Sequence, residues 1–243
     1  MQQKIGTIRR FIIIVLLFTG ISVQGQQRKL QNLERFDRKK FHFGFALGVN
    51  SAAFIMDYDP SKVDSLKQLD QKRETGFNLG IVSDLHLHPL FNLRFIPTLS
   101  FAQRNLNYTF YDSRDSAFVN FTKPVESTFI DFPLLFKFRS MRQNNFAAYF
   151  VGGGKFSYDL AANKKVDNLH APRDEVVVKI QTISYSYEVG FGMDFFLEYF
   201  KFSPEIKWSF GINNLIIHDG TEFSDPITKL KHNIFTVSFT FEG

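Results

Sequence analysis

The chain has 243 residues, including 31 Phe, a single Trp and no Cys, with a formal net charge of +5. The lack of Cys argues against a disulfide framework and a lipid-attachment site, and the charge is too small for a strongly cationic nucleic-acid binder. The mean hydropathy is −0.13 despite the many large apolar side chains. This combination favours a protein in which only alternate residues face an apolar medium.

The first residues have the pattern of a signal peptide. Three basic residues precede an apolar run from Phe11 to Phe18, which is shorter than the roughly 20 residues of a spanning helix. Small residues before Gln26 predict a signal peptide over residues 1–25; a retained N-terminal anchor is the alternative. Cleavage would remove three basic and no acidic residues, leaving 26 basic against 24 acidic residues and a net charge of +2.

Residues 26–40 form a basic N-terminal segment in which Leu30, Leu33 and Phe36 recur at near-helical spacing. We predict that this segment contacts a periplasmic partner. A solvated linker, or a segment that lies on the headgroups of the inner leaflet, is an equal alternative. The candidate contact residues are Arg28, Lys29, Arg35, Arg38, Lys39 and Lys40.

From Phe41 onward apolar residues recur at every second position, which is the period of a β-strand. The pattern predicts eight strands, an even number, as bacterial single-chain barrels have. The fifth is the least clear, because Gly152–Gly154 interrupts the alternation; these glycines lack the Lys-Ser/Thr of a phosphate loop and indicate tight packing or a bend. The predicted strands lie near residues 41–50, 77–88, 91–104, 130–139, 146–158, 183–198, 200–212 and 235–241.

The connections alternate between long and short. Only residues 88–90, 140–145 and 198–199 separate each even strand from the next odd strand. We therefore predict that residues 41–243 form an all-β, eight-stranded antiparallel up-and-down transmembrane β-barrel in the outer membrane, with short periplasmic turns, long external loops and both termini in the periplasm. The long connections are Ile55–Glu74, Thr109–Glu126, Asp159–Thr182 and Asn213–Lys231.

A soluble barrel also has strands of period two, so the character of the two faces decides between the alternatives. The face opposite the apolar residues is rich in Gly, Ala and Ser with sparse charge, which favours the crowded interior of a small membrane barrel. Charges of both signs on this face predict ion pairs that fill the lumen rather than a conduction path. The candidate lumen charges are Arg94, Arg104, Lys137, Glu188, Asp194, Glu205 and Lys207.

Several polar residues could be considered for chemistry at the rim or the turns. No triad or metal spacing joins them, and two His residues before Pro89 are explained equally well by a turn. We expect no enzyme activity, no catalytic residue, no cofactor and no metal site. The residues considered are His86, His88, His170, Asp174, His218 and Asp219.

Two stretches carry a resemblance to a known family. Phe36–Asn50, with the sequence FDRKKFHFGFALGVN, resembles the opening of the PorT family of outer-membrane barrels, which belongs to the type IX secretion and gliding machinery of Bacteroidota. Phe129–Phe138, FIDFPLLFKF, resembles a strand shared by many small barrels of that lineage. The resemblance covers essentially the whole chain after residue 25 and implies no catalytic residues.

The resemblance implies a part in protein export across the outer membrane. Because an eight-stranded barrel is too narrow for folded cargo, we expect an accessory or assembly role, with outer-membrane lipid and secretion-apparatus proteins as partners and no nucleic acid. The final residues, FTFEG, resemble the signal read by the barrel-assembly machinery. A binding or adhesion barrel that acts through its loops, and a rim enzyme, remain alternatives.

Overall fold

The computed structural model describes residues 31–162, 166, 168 and 171–243. The predicted signal peptide, the candidate contacts Arg28 and Lys29, and the rim candidate His170 lie outside the described residues. Within the described ranges, no helix has both the length and the apolar character needed to cross a membrane.

The described residues form nine β-strands and two single 3-10 turns, Phe36–Arg38 and Pro60–Lys62. Alternating apolar side chains, many of them aromatic or β-branched, favour strands throughout the chain from residue 41. The strands are β1 (Phe41–Tyr58), β2 (Leu66–His88), β3 (Phe91–Phe95), β4 (Thr98–Asp112), β5 (Ala117–Arg139), β6 (Phe146–Asp159), β7 (Ile183–Phe196), β8 (Lys201–Gly211) and β9 (Ile227–Glu242).

All nine strands belong to one antiparallel sheet. Strand β1 pairs with β2 on one side and with β9 on the other, so the pairings return to their starting strand as in a barrel. The closure is uneven. Pairing of β1 with β9 continues to Tyr58 and Ile227, whereas pairing with β2 ends at Ala52 and Glu74.

The structure has nine strands where the sequence predicted eight. The predicted third strand is divided at Ile96 and Pro97 into β3 and β4, both of which pair with β2 and with β5. Proline has no backbone N–H to donate to a ladder, and the Ile96 carbonyl accepts the Thr98 hydroxyl at 2.7 Å. A period-two pattern runs unbroken through such a local interruption, so it predicted one strand.

Two of the four long connections are shorter in the structure than the sequence predicted. Strands β1 and β2 are joined by residues 59–65, and β4 and β5 by residues 113–116 only. Beyond the apolar stretches these strands continue with polar residues on the outer face, which weakened the pattern that the sequence prediction used. The remaining two connections, residues 160–182 and 212–226, are long as predicted, and all three short connections are confirmed.

The outer face carries an apolar belt. Phe43, Ile81, Phe136 and Phe150 are each more than 60% exposed, whereas Lys137 beside them in the sheet is fully buried. On β5 the outward apolar residues span positions 130–138, matching the 9–11 residues of a strand that crosses a bilayer.

Aromatic residues mark both edges of this belt, as at the interfaces of membrane barrels. At the end that carries the long connections, here called the long-loop end, the exposed residues are Tyr158, Tyr185 and Tyr187. At the opposite, short-turn end, they are Phe41, Phe91, Phe138, Phe146 and Tyr199.

Above the belt at the long-loop end lies a second apolar interior, here called the cap core. Strands β1, β2, β4, β5 and β9 extend past the belt, and the two long connections fold against their inner faces. The hydroxyl of Tyr108 on β4 donates to the Phe223 carbonyl of the second connection at 2.7 Å, in a fully buried contact. The buried members are Phe54, Leu66, Leu69, Leu106, Tyr108, Phe110, Val125, Val176, Val178, Ile180, Leu215, Ile216, Phe223, Ile227 and Leu230.

Candidate functional site

The centre of the barrel interior is organised around Arg94 of β3. Its guanidinium contacts Glu205 of β8 at 2.9 Å, Glu242 of β9 at 2.5 Å and Asp84 of β2 at 3.3 Å, and all four side chains are fully buried. Lys201 adds a second cation at 2.7 Å from Glu242. A planar guanidinium with five donors suits such a site, because it can bind several carboxylates at once.

A second pair lies beside this centre. Lys137 of β5 contacts the Asp194 carboxylate of β7 at 2.8 Å, and Ser203 of β8 donates to the same carboxylate at 2.6 Å. The ammonium also lies 3.7 Å from the ring centroid of Tyr149, whose hydroxyl donates to Glu205 at 2.8 Å. The aromatic ring therefore links the two charge groups.

A third group lies where β5, β6 and β7 adjoin. Lys155 contacts Glu188 at 2.9 Å and Asp131 at 3.6 Å, and Lys207 contacts Glu205 at 3.3 Å. The adjacent cavity measures about 30 Å³, which is room for one or two water molecules and no larger ligand. Asp131, Lys155, Glu188 and Lys207 line it.

Toward the long-loop end the interior changes from charged to apolar at Arg104. Its guanidinium contacts the Nδ1 atom of His232 at 2.6 Å and hydrogen-bonds the Ser127 hydroxyl. It also lies over the rings of Phe54 and Phe129 at 4.5 and 5.4 Å. Arg104 thus joins the ionic lumen to the cap core.

The structure brings six of the seven candidate lumen charges into contact with opposite charges, whereas the two terminal nitrogens of Arg104 contact the neutral groups of His232 and Ser127. Sequence reasoning missed several of their partners. Lys155 was not identified because Gly152–Gly154 obscured the inward positions of β6. Glu242 was not identified because it follows residue 241, where the eighth predicted strand ends. The buried lumen residues that the candidate charges did not include are Asp84, Asp131, Tyr149, Lys155, Lys201, His232 and Glu242.

The short-turn end is covered by the chain that precedes β1. Phe36 is 4% exposed and stacks on His42 with ring centroids 3.7 Å apart. It also meets the edge of Phe196 at 5.8 Å, and the Lys201 ammonium lies 4.7 Å from its ring centroid. The Phe36 side chain therefore covers the ionic lumen at the short-turn end.

Polar contacts fix the same segment. Asn32 accepts a hydrogen bond from Arg142 through its carbonyl and donates to Asn145 at 2.9 Å. The Asp37 carboxylate contacts Arg139 at 2.8 Å and Arg142 at 3.4 Å. Burial raises the pKa of the Asp37 carboxyl, but the two guanidinium groups outweigh this effect and hold the pKa below its ordinary value.

The segment thus docks through Asn32, Phe36 and Asp37, whereas its basic side chains point away. Arg35, Arg38, Lys39 and Lys40 are exposed. Their proposed contact with a periplasmic partner stays a prediction, and the docking shows that residues 32–39 are not a free linker.

Replacing Phe36 with Ala is expected to release this segment. A buried Phe→Ala change removes about 3 kcal/mol of packing, enough to undock so short a segment. Trypsin cleavage after Arg35 and Arg38 in the folded, detergent-solubilised protein should then accelerate strongly.

Release of the wild-type N-terminal segment should also increase as the pH falls below 3.8, the ordinary pKa of Asp37, because docking stabilises the ionised form of this carboxyl group.

Glu34→Ala is the matched control, since Glu34 is exposed and lies two residues away. Equal cleavage rates for both variants and the wild type would contradict the docking role of Phe36.

At the long-loop end, ionic contacts hold the two long connections together. Asp219 accepts hydrogen bonds from Asn168 at 2.6 Å and from Ser224 at 2.8 Å, and contacts Lys179 at 3.1 Å. Burial raises the pKa of the Asp219 carboxyl, but the hydrogen bonds from Asn168, Ser224 and Thr221 lower it to about 2. Asp219 is therefore a structural residue of the cap.

The remaining candidates form no recognisable reactive site. Asp174 contributes its carbonyl to the Lys123 ammonium at 3.0 Å, and His218 is exposed. His86 contacts Asn92 at 3.0 Å, and a register shift separates it from His88. Among the described residues no group of three His, Cys, Asp or Glu could hold a metal ion. Absence of enzyme activity stays a prediction.

An antiparallel ring of strands, an apolar belt between aromatic edges and a polar, filled interior define the class of outer-membrane β-barrel proteins. The chain belongs to the outer membrane protein beta-barrel domain family, whose model matches residues 24–216. This membership indicates that the protein resides in the outer membrane. No curated protein matches the chain.

Solved structures of several outer-membrane proteins are similar to this chain, including those of OprG, Neisserial surface protein A and Ail. OprG from Pseudomonas aeruginosa is 13% identical, with 84% of this chain and 94% of that chain covered and a TM-score of 0.46. Neisserial surface protein A is 9% identical, with 83% and 96% covered and a TM-score of 0.43. Ail of Yersinia pestis, in complex with the heparin analogue sucrose octasulfate, is 13% identical, with 84% and 100% covered and a TM-score of 0.37.

Proposed function

We propose that this protein is a non-conducting outer-membrane barrel that acts through its surfaces, as an accessory or assembly component of type IX protein secretion. The filled lumen is the observation that supports a non-conducting barrel. Ion pairs among Arg94, Lys137, Lys155 and their partners occupy the barrel interior. Phe36 covers one end and the cap core the other, which leaves no route for a polypeptide.

The assignment to type IX secretion is supported by the PorT-like stretch Phe36–Asn50. This stretch contains Phe36 and Asp37, which dock the N-terminal segment, and the first half of β1. The residues that carry the resemblance are thus also those that order the short-turn end. A role in gliding would follow if the same apparatus serves both processes.

The orientation is part of the proposal. Both ends of the sheet, at Phe41 and Glu242, lie with the short turns, and we assign this end to the periplasm. The exposed cations Arg35, Arg38, Lys39 and Lys40 then face the periplasm, where they fit an acidic surface of another secretion-apparatus protein. Complementary charge of this kind contributes mainly to association rate and specificity.

The test is gene deletion in the host, followed by complementation. Deletion should trap cargo with the type IX C-terminal signal in the periplasm, and the wild-type gene should restore export. A variant with Arg35, Arg38, Lys39 and Lys40 replaced by Gln should fold, as shown by heat-modifiable migration, and still fail to restore export fully. The matched control replaces four exposed cations at the long-loop end, Lys62, Lys67, Lys72 and Arg73, by Gln.

Normal cargo export after deletion would contradict the secretion role. That result would favour the second candidate, an outer-membrane binding or adhesion protein that acts through its loops. The cap favours this candidate, because residues 171–180 and 212–226 are held by the cap core and by the Asp219 contacts. An ordered surface loses less conformational entropy on binding than a free loop does.

A further inference from the structure

Strands β4 and β5 continue well beyond the apolar belt and present one polar outer face. Within the apolar belt the outward residues of these two strands are apolar, including Phe101 and Ile130. Beyond the belt the pairing of the two strands continues without a register shift to Asp112 and Ala117. From Phe101 to Tyr111 the extension is about 33 Å along the strand. We call its polar outward residues the polar ladder: Gln103, Asn105, Asn107 and Thr109 on β4, and Asn120, Thr122, Glu126 and Thr128 on β5; Pro124 occupies the remaining outward position between Asn120 and Thr128.

The ladder consists almost entirely of amides and hydroxyls. Two cross-strand pairs order it: the Thr109 hydroxyl donates to the side-chain Oδ1 atom of Asn120 at 2.8 Å, and the Thr122 hydroxyl donates to the side-chain Oδ1 atom of Asn107 at 2.9 Å. Each pair uses the oxygen of the amide and not its NH₂ group, which can donate two bonds. Such a face offers donors and acceptors in fixed positions.

Charge is scarce on this face. Glu126 is the one charged member of the ladder as defined. On the flanking strand β2, Lys72 is paired with Glu74 at 3.1 Å, and Glu74 accepts a hydrogen bond from the Asn105 amide at 3.0 Å. The exposed Asp70 of the same strand accepts a hydrogen bond from Gln68 at 2.5 Å, and the Lys72 cation beside the ladder is already paired. A surface that binds phosphate or sulfate would present Arg or Lys side chains for charge-assisted hydrogen bonds. The ladder instead matches a neutral ligand with many hydroxyl groups.

An aromatic pair lies at the far end of the ladder. Tyr111 and Phe118 face each other across β4 and β5, with ring centroids 5.5 Å apart. Their side chains are exposed, 37% for Tyr111 and 66% for Phe118. Exposed rings of this kind provide large, rigid apolar contact area at low entropic cost, and the apolar face of a sugar ring can lie against them.

The position of the ladder identifies its occupant. It continues the lipid-facing surface of the same two strands, so it adjoins the headgroup layer of the leaflet at the long-loop end. In the outer leaflet of the outer membrane that layer consists of the saccharide of lipopolysaccharide. We propose that the polar ladder, with Tyr111 and Phe118, binds the saccharide portion of lipopolysaccharide. This inference rests on the orientation proposed above and is independent of the secretion role.

The test compares two probes on the full chain in detergent micelles. Lipopolysaccharide with its complete saccharide should bind more tightly than lipid A from the same source. The double variant Asn107→Ala, Thr122→Ala should weaken binding of the complete molecule by about tenfold, corresponding to one or two lost hydrogen bonds, and leave lipid A binding unchanged. Phe118→Ser should weaken it as well. Polysaccharide released from lipid A should compete with the complete molecule.

The matched control is the double variant Asp57→Asn, Lys229→Gln, which removes an exposed pair at the same end on β1 and β9. Heat-modifiable migration verifies that each variant is folded. Equal affinity for lipid A and for complete lipopolysaccharide, or unchanged affinity in the folded ladder variants, would overturn the proposal.

The orientation is tested separately. Because the chain contains no Cys, a Ser113→Cys variant places a single thiol in the connection between β4 and β5. A membrane-impermeant maleimide should label it on intact cells. Absence of labelling on intact cells with full labelling after lysis would overturn the orientation, whereas failure of the secretion test leaves the saccharide proposal untouched.

Discussion

Replacing Arg94 with Gln is expected to destabilise the folded barrel by about 3–5 kcal/mol, since breaking a buried charge group leaves uncompensated charges behind. Arg94 is the shared cation of Asp84, Glu205 and Glu242, and all three carboxylates are shielded from solvent. Lys201 contacts Glu242 alone among these three. Urea unfolding in detergent, followed by heat-modifiable migration, measures the change.

A double variant separates charge imbalance from loss of packing. Arg94→Gln combined with Asp84→Asn removes the cation together with a carboxylate that is paired with it, and leaves the Lys201–Glu242 pair intact, so it should be less destabilised than Arg94→Gln alone. Arg38→Gln, which removes an exposed cation, is the control and should leave the unfolding midpoint nearly unchanged. If Arg94→Gln behaved like Arg38→Gln, the lumen network would not contribute to stability.

The second large effect is expected at Gly153, in the middle of the three consecutive glycines of β6. A Cβ atom there would lie 2.1 Å from the Leu134 carbonyl oxygen and 2.9 Å from the Leu135 Cα atom. Both are backbone atoms of the paired strand β5, so the contact can be relieved only by moving the two strands apart. Gly153→Ala should therefore destabilise the barrel by about 3 kcal/mol, the upper range for overpacking, with less folded protein in heat-modifiable migration.

Gly154 provides the matched control for this substitution. A Cβ atom at Gly154 would meet nothing within 4 Å, so Gly154→Ala should fold like the wild type. Equal loss of folded protein in the two variants would show that conformational freedom, and not close approach to β5, explains the glycines.

The ion pairs also explain how a barrel with an apolar outside holds its strands together from within. Arg94 on β3 is bonded to β8 and β9 across the lumen, and Lys137 on β5 to β7. Backbone hydrogen bonds join neighbouring strands, whereas these ion pairs of Arg94 and Lys137 join strands that are not neighbours. Glu242, the penultimate residue of the chain, takes part, so the interior is complete only when β9 has closed against β1.

The sequence by itself determined the class of fold and, where the alternation is clear, the face of the strand on which a residue lies. Strand periodicity depends only on local geometry, because successive side chains point to opposite sides of a strand. It therefore predicted strands that contain Phe41–Asn50 of β1 and Ile183–Phe196 of β7, and the charge and aromatic pattern indicated an outer-membrane barrel.

Only the tertiary structure decided which residues meet. Two of the three partners of Arg94, Glu205 and Glu242, come from strands more than a hundred residues away, and no local pattern carries that information. The break at Pro97, the continuation of β4 and β5 past the belt, and the docking of Phe36 likewise depend on contacts with other strands. Periodicity assigns a residue to a face; register, barrel closure and loop packing determine what that face touches.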